Sequence, residues 1–237
     1  MKRSRTQSST QSVGTKYTRR SRSSSNALRR YRSPTYKATF NEVGFPRQLT
    51  IRHKYCETVN ITTSAGGLGS YVFNCNGMYD PNQTGTGHQP MYFDTCTGIY
   101  DHYTVIKSKC KFTFVAKNTA SAANVGGYIN DDATVSIGSF NAACEASSGK
   151  GAVIPSVSNG QQENKVVWLY WDAVKAFGPS PVTDPNLQGT AAANPTETQC
   201  FVAVIQATDL ASAVACDVMV EIEYTAVWEE LKDLTVQ

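Results

Sequence analysis

Residues 103 to 116 read Tyr103-Thr104-Val105-Ile106-Lys107-Ser108-Lys109-Cys110-Lys111-Phe112-Thr113-Phe114-Val115-Ala116. Successive side chains of an extended chain point to opposite faces, so strict alternation marks a half-buried strand. Ile106, Cys110, Phe112 and Phe114 fall on one side, Lys107, Lys109, Lys111 and Thr113 on the other. The reading is a strand with a core face and a face that meets water or an anion. The same texture begins after Pro46. Leu49, Ile51, His53, Tyr55, Val59 and Ile61 share one face of residues 48 to 62, and Thr50, Arg52, Lys54, Thr58 and Asn60 the other. Near the end of the chain, Val218, Val220, Ile222 and Tyr224 alternate with Asp217, Met219, Glu221 and Glu223.

Working outward, further strands are expected over 71 to 75, 125 to 130, 165 to 171, 199 to 207 and 214 to 228. Turn chemistry at Gly66-Gly67, Asp80-Pro81-Asn82 and Gly85-Thr86-Gly87 separates them. A short helix is expected near 90 to 100. The stretch 172 to 198 carries Pro179, Pro181, Pro185 and Pro195 and reads as a loop long enough to hold one short strand. Seven visible strands with almost no helical periodicity define an all-β antiparallel sandwich or barrel. Periodicity leaves an immunoglobulin-like sandwich and a jelly roll both open.

Charge divides the chain more sharply than its net value of +3 suggests. Residues 1–37 hold 11 of the 22 Lys and Arg and none of the 19 Asp and Glu, so this arm carries +11. The remainder, with 11 basic and 19 acidic residues, carries −8. A Ser- and Thr-rich segment with that charge and few apolar residues repels itself and has nothing to pack, so it is expected to be disordered alone and to require an anionic partner. Its cations are Lys2, Arg3, Arg5, Lys16, Arg19, Arg20, Arg22, Arg29, Arg30, Arg32 and Lys37, interleaved with Tyr17, Tyr31 and Tyr36. All 11 are candidate nucleic-acid-binding residues: guanidinium groups grip phosphate in bidentate fashion and tyrosines stack on bases. Arg19-Arg20-Ser21-Arg22 and Arg29-Arg30-Tyr31-Arg32 repeat one pattern that also suits importin recognition.

Other chemistries find little support. His53, His88 and His102 lack zinc-site spacing, and neither a nucleophile elbow nor a P-loop occurs. No catalytic residue, metal ligand or cofactor is therefore expected. Asp80, Asp94, Asp101 and Asp131-Asp132 offer hard oxygen donors but not the EF-hand spacing of a calcium loop. The seven cysteines, at 56, 75, 96, 110, 144, 200 and 216, are odd in number and never paired as CxxC, which reads as buried thiols in a reduced protein. Asn60-Ile61-Thr62 and Asn82-Gln83-Thr84 match the glycosylation pattern only by chance if the chain is not secreted, and the charged start lacks the apolar stretch of a secretory signal. No apolar run reaches the 18 residues of a membrane helix.

Several motifs, in order, resemble one family. They are Arg52-His53-Lys54-Tyr55-Cys56-Glu57-Thr58, Asn76-Gly77-Met78-Tyr79-Asp80-Pro81-Asn82, Gly85-Thr86-Gly87-His88-Gln89-Pro90-Met91-Tyr92-Phe93-Asp94, Ile99-Tyr100-Asp101-His102-Tyr103-Thr104-Val105-Ile106 and the closing Val220-Glu221-Ile222-Glu223-Tyr224-Thr225-Ala226-Val227-Trp228. Over about 48 to 230 the chain is similar to capsid proteins of small circular Rep-encoding single-stranded DNA viruses, of circovirus-like type. The resemblance implies a basic arm over 1–37 and a jelly-roll shell domain over 38–237, with eight strands in two four-stranded sheets and no catalytic site. The eighth strand is then expected within 172 to 198. The implied partners are other copies of the chain in a small icosahedral shell, sixty being the smallest number, and a single-stranded DNA genome, with RNA left open by the residues themselves. A host importin and a cell-surface receptor would follow, with the virion and the host nucleus as locations. The contrasting reading is a non-viral β-sandwich binding module, lectin-like or nucleic-acid-binding, with a basic targeting tail.

Overall fold

The computed structural model describes residues 44–117, 121–156 and 163–233. Eight strands run in the order β1 Gln48–Thr62, β2 Leu68–Asn74, β3 Tyr100–Ala116, β4 Ala123–Asn130, β5 Lys150–Ile154, β6 Asn164–Asp172, β7 Cys200–Ala207 and β8 Ala215–Leu231. Three short helices, α1 Phe93–Thr97, α2 Phe140–Glu145 and α3 Ala173–Phe177, sit in the connections. Two antiparallel sheets face each other, one ordered β1-β8-β3-β6 and the other β2-β7-β4-β5. The pairs β1/β2, β3/β4, β5/β6 and β7/β8 are neighbours in sequence but lie in opposite sheets. That crossing pattern is the jelly roll and closes the choice left open by periodicity, because immunoglobulin-like sandwiches keep early neighbours such as A and B in one sheet.

The alternating runs form the strands and bury the faces expected of them. Phe112 and Phe114 are fully buried, as are Val220 and Val218 opposite them and Ile222 and Tyr224 further along β8. Space between the sheets is tight at Gly127 on β4. A Cβ there would come within 2.8 Å of the Val202 carbonyl and 3.1 Å of the Phe112 ring, so the backbone passes where a side chain has no room. Strand β7 is buried along its whole length. Its inner residues join the core, while Val202 and Val204 are covered from outside by Tyr128 on β4 and by Phe140 and Ala143 of α2. Helix α2 starts on Ser139, whose Oγ accepts from the Ala142 N–H, and the Gln206 side chain of β7 accepts from the Phe140 N–H at 3.0 Å.

Three expectations need correction. The eighth strand is β5, not a segment of 172 to 198. That stretch instead holds α3, two 3-10 turns begun by Pro181 and Pro185, and an isolated bridge from Gly189 to Tyr103. β5 buries fully only Ile154 and lies at a sheet edge, so five residues gave too little alternation to read. The core face of β3 also changes phase. A bulge between Val105 and Lys107 inserts one residue, so Val105 is buried and Ile106 is not. Finally, Cys56 is exposed on β1 opposite Glu221, whereas Cys75, Cys96, Cys110, Cys200 and Cys216 are buried and no cysteine is bridged.

The motif Asn76 to Asn82 serves as a staple. Asn74 donates to the Asp80 carbonyl, Asn76 donates to the Glu197 carbonyl at 2.8 Å, and Asn82 donates to Glu57 at 2.9 Å. The Tyr103 hydroxyl accepts from the Met78 and Tyr79 N–H groups at 2.9 and 3.2 Å. The long β2–α1 connection is therefore fixed by satisfied buried polar groups as well as by Cys75 and Met78, which are fully buried in the core. Both glycosylation-pattern asparagines are engaged in this way or within the sheet: Asn82 is fully buried, and Asn60 pairs with Asp217 at 2.9 Å.

His53 is buried in the core beside Trp228. Its Nε2 lies 3.0 Å from the Trp228 indole Nε1, which can only donate, so His53 Nε2 accepts and the ring is neutral with its proton on Nδ1, directed at the Met91 carbonyl 3.2 Å away. Burial holds this imidazole below its ordinary value, against the raising effect of the Met91 carbonyl. The unfolded chain therefore binds a proton more readily, and stability falls as pH drops through about 6.5 toward the folded-state value.

Two outcomes follow. Phe112→Ala should cost about 3 to 5 kcal/mol in urea unfolding, whereas Lys109→Ala should cost far less; equal losses would mean that the faces of β3 are exchanged. Unfolding free energy should also decline between pH 7.5 and 5, and His53→Gln, which keeps an acceptor for Trp228, should flatten that decline.

Candidate nucleic-acid interface

The 11 arm residues singled out from the sequence, Lys2 through Lys37, lie outside the described residues. The ordered cations are another matter, because the register of the β1-β8-β3-β6 sheet sets them in rows on its outer face. Lys54, Glu223, Lys109 and Tyr170 form one row across the four strands; Cys56, Glu221, Lys111 and Trp168 form the next; Arg52, Thr225, Lys107 and Asp172 form a third. Side chains meet across paired strands both directly opposite and on the diagonal; here the β3 lysines form ion pairs with directly opposite carboxylates and the β1 cations with diagonal ones. Glu221 bridges Lys54 at 3.0 Å and Lys111 at 2.7 Å; Glu223 bridges Arg52 at 3.3 Å and Lys109 at 3.1 Å; Asp172 meets Lys107 at 3.2 Å.

Hydrogen bonds from Lys111 and then Lys54 hold the Glu221 carboxyl below its ordinary range. Its ionised form is the one favoured by the fold, so the pairing persists at neutral pH and is lost only as pH falls through that lowered value. The pairs are mostly exposed and each contributes little to stability. Their consequence is electrostatic. Five cations share three carboxylates in these rows, leaving an excess of two positive charges.

The rows end on β6. Its odd-numbered side chains Val167, Leu169 and Trp171 enter the core, while Val166, Trp168 and Tyr170 point outward and stay exposed. Trp168 and Tyr170 stack at a centroid distance of 6.3 Å with 12° between ring planes, and Lys111 Nζ lies 5.9 Å from the Trp168 centroid. The sequence reading placed a strand here but did not single out these rings. The run Val166-Val167-Trp168-Leu169-Tyr170-Trp171 has the texture of a strand buried on both faces. Its Trp–Tyr spacing of two was the available signal.

The histidines do not converge. His53 is in the core, His88 packs on the Tyr55 ring with centroids 4.7 Å apart, and His102 Nε2 lies 3.2 Å from Glu230. No group of three or more metal-ligating side chains occurs among the described residues. Asp132 caps a turn by accepting from the Thr134 N–H.

No protein-family model and no curated protein matches the chain. Among solved structures it is similar to that of tobacco necrosis virus, at 9% identity and a TM-score of 0.46 over 80% of this chain and 85% of the other. It is also similar to the BFDV capsid protein in a decameric form, at 8% identity and a TM-score of 0.41 over 78% and 100%, and to Desmodium yellow mottle tymovirus, at 14% and 0.39 over 83% and 95%. The jelly-roll assignment rests on the strand order and not on these likenesses.

If the β8 carboxylates screen this face, Glu221→Gln with Glu223→Gln should raise affinity for single-stranded DNA. It should also steepen the slope of log affinity against log salt by up to about 1.4, two added phosphate contacts at about 0.7 each. Unchanged binding in a salt titration would show that this face meets no polyanion.

Proposed function

We propose that the chain is a viral capsid subunit, a structural rather than catalytic protein, whose jelly roll builds a small icosahedral shell and whose arm over 1–37 binds packaged single-stranded nucleic acid. The fold alone does not select this function, since jelly rolls serve capsids, lectins and cupins alike. The observation that carries the reading is the partition of charge: an acid-free run of 11 cations precedes a sandwich of net −8 whose ordered lysines largely answer to its own carboxylates. Sixty copies bring about 660 arm charges together, enough to offset several hundred phosphates. The ordered motifs that resemble circovirus-like capsid proteins support DNA as the genome; the arm's electrostatics are indifferent to the sugar. The two Arg-Arg-x-Arg clusters support passage through the host nucleus before residence in the virion.

Electron microscopy of the expressed full-length chain should show closed particles; a discrete small oligomer that binds glycans would favour the lectin-like module. Changing Arg19, Arg20, Arg22, Arg29, Arg30 and Arg32 to Gln should leave the particles formed but poor in nucleic acid, and should lower the salt slope of single-stranded DNA binding by about 4. An unchanged slope and unchanged packaged mass would remove the arm from this role.

A further inference from the structure

The apolar outer face of β6 is not explained by the sandwich. Trp168 and Tyr170 are 42% and 69% exposed on a strand that forms the edge of its sheet. Exposed apolar edge strands invite pairing with other chains, so a feature of this kind that persists calls for an occupant. Three aspects of the surroundings identify its chemistry. The two rings are nearly parallel, 12° apart in plane with centroids separated by 6.3 Å. Lys111, Lys109 and Lys107 stand directly opposite Trp168, Tyr170 and Asp172 on β3, so a row of ammonium groups runs beside the row of rings. Shallow grooves connect the two, one lined by Lys107, Lys109, Tyr170 and Lys175 together with Asp172 and Glu223, the other by Lys54, Lys109, Lys111 and Trp168 together with Glu221 and Glu223.

We propose that Trp168 and Tyr170, flanked by Lys107, Lys109 and Lys111, form a base-stacking site for single-stranded nucleic acid on the ordered domain, distinct from the arm. The choice of polymer rests on the packaging reading above; the stacking mode is taken from the face itself. Rings take the planar bases and lysines the phosphates, an arrangement that accepts any base because every base has a π-face. A duplex keeps its bases inside the stack and offers the rings nothing. A second copy docked face to face by a two-fold axis would set this excess of cations against its own image, so the charge disfavours that occupant.

The test uses the full-length chain and two probes of equal length, oligo(dT) and an abasic oligomer with the same phosphates. Trp171 and Trp228 are buried, so quenching of tryptophan emission by oligo(dT) reports chiefly on Trp168. Trp168→Ala with Tyr170→Ala should weaken oligo(dT) binding by roughly tenfold per ring while leaving abasic binding and the salt slope unchanged. Trp168→Phe with Tyr170→Phe should retain most of the affinity. Both side chains point away from the core, and thermal unfolding verifies that the variants remain folded. The proposal is overturned if the double alanine variant binds both probes as the wild type does, or loses both equally. It is also overturned if that variant fails to form particles while its subunits keep full affinity for oligo(dT), which would make the face a contact between copies. The six-arginine arm variant separates the two ideas: an unaltered salt slope there, with ring-dependent oligo(dT) binding intact, would remove the arm and leave this site standing.

Discussion

The sandwich depends on the two-faced register of β8. This strand pairs with β1 on one side and β3 on the other, and from Cys216 to Ala226 every even-numbered side chain is buried while the odd-numbered ones face out. The inward set fills the core against Phe112 and Phe114. The outward set carries Asp217, Glu221 and Glu223. A slip of one residue would exchange the faces and drive these three carboxylates into an apolar interior, where each unpaired ion costs several kcal/mol. Apolar residues favour burial in any register that hides them. The glutamates forbid the wrong one, so register in the central sheet is set as much by what must stay wet as by what must stay dry.

The same carboxylates govern what the body presents to a polyanion. Glu221 and Glu223 each lie between a cation on β1 and a cation on β3. Without them the outer face would be a continuous basic surface, and attraction for any polyanion would compete with the arm. With them the face keeps only a small positive excess. On the proposed reading, long-range attraction would then fall to the arm, with its 11 cations, and the ordered domain would contribute the short-range contacts of a stacking surface.

How much of this was legible in the sequence follows from how many residues each element spends on its pattern. β1 and β8 have 15 and 17 residues, and their alternation could be read directly. β5 has five residues with a single fully buried side chain, below what a period of two can reveal, so the proline-bearing stretch 172 to 198 was the expected place of the missing strand instead. The bulge in β3 was hidden because Val105 and Ile106 are both apolar and either one reads as core. β6 and β7 make the sharpest contrast. Val166 to Trp171 and Cys200 to Ala207 are both near-continuous apolar runs, yet α2 covers the outside of β7, and no helix packs over the outer face of β6 among the described residues. Only tertiary packing separates a buried run from an exposed aromatic stripe, and a single sequence does not contain that fact.

That contrast bears on how single strands are told from duplexes. An arginine-rich arm contacts phosphates, and a duplex offers phosphates at higher linear density than a single strand does. Electrostatics alone would then favour a duplex, so a subunit that packages single strands, as proposed, would need a feature that senses unpaired bases. The arm's three tyrosines, Tyr17, Tyr31 and Tyr36, can stack on bases as well. Trp168 and Tyr170 are held on a strand whose other face is locked into the core by Val167, Leu169 and Trp171, so their rings are oriented before any base arrives and lose little freedom on binding. On the stacking site proposed above, preference for single strands would be a property of the edge of the sandwich, and a helix over β6, like α2 over β7, would remove the surface on which bases stack.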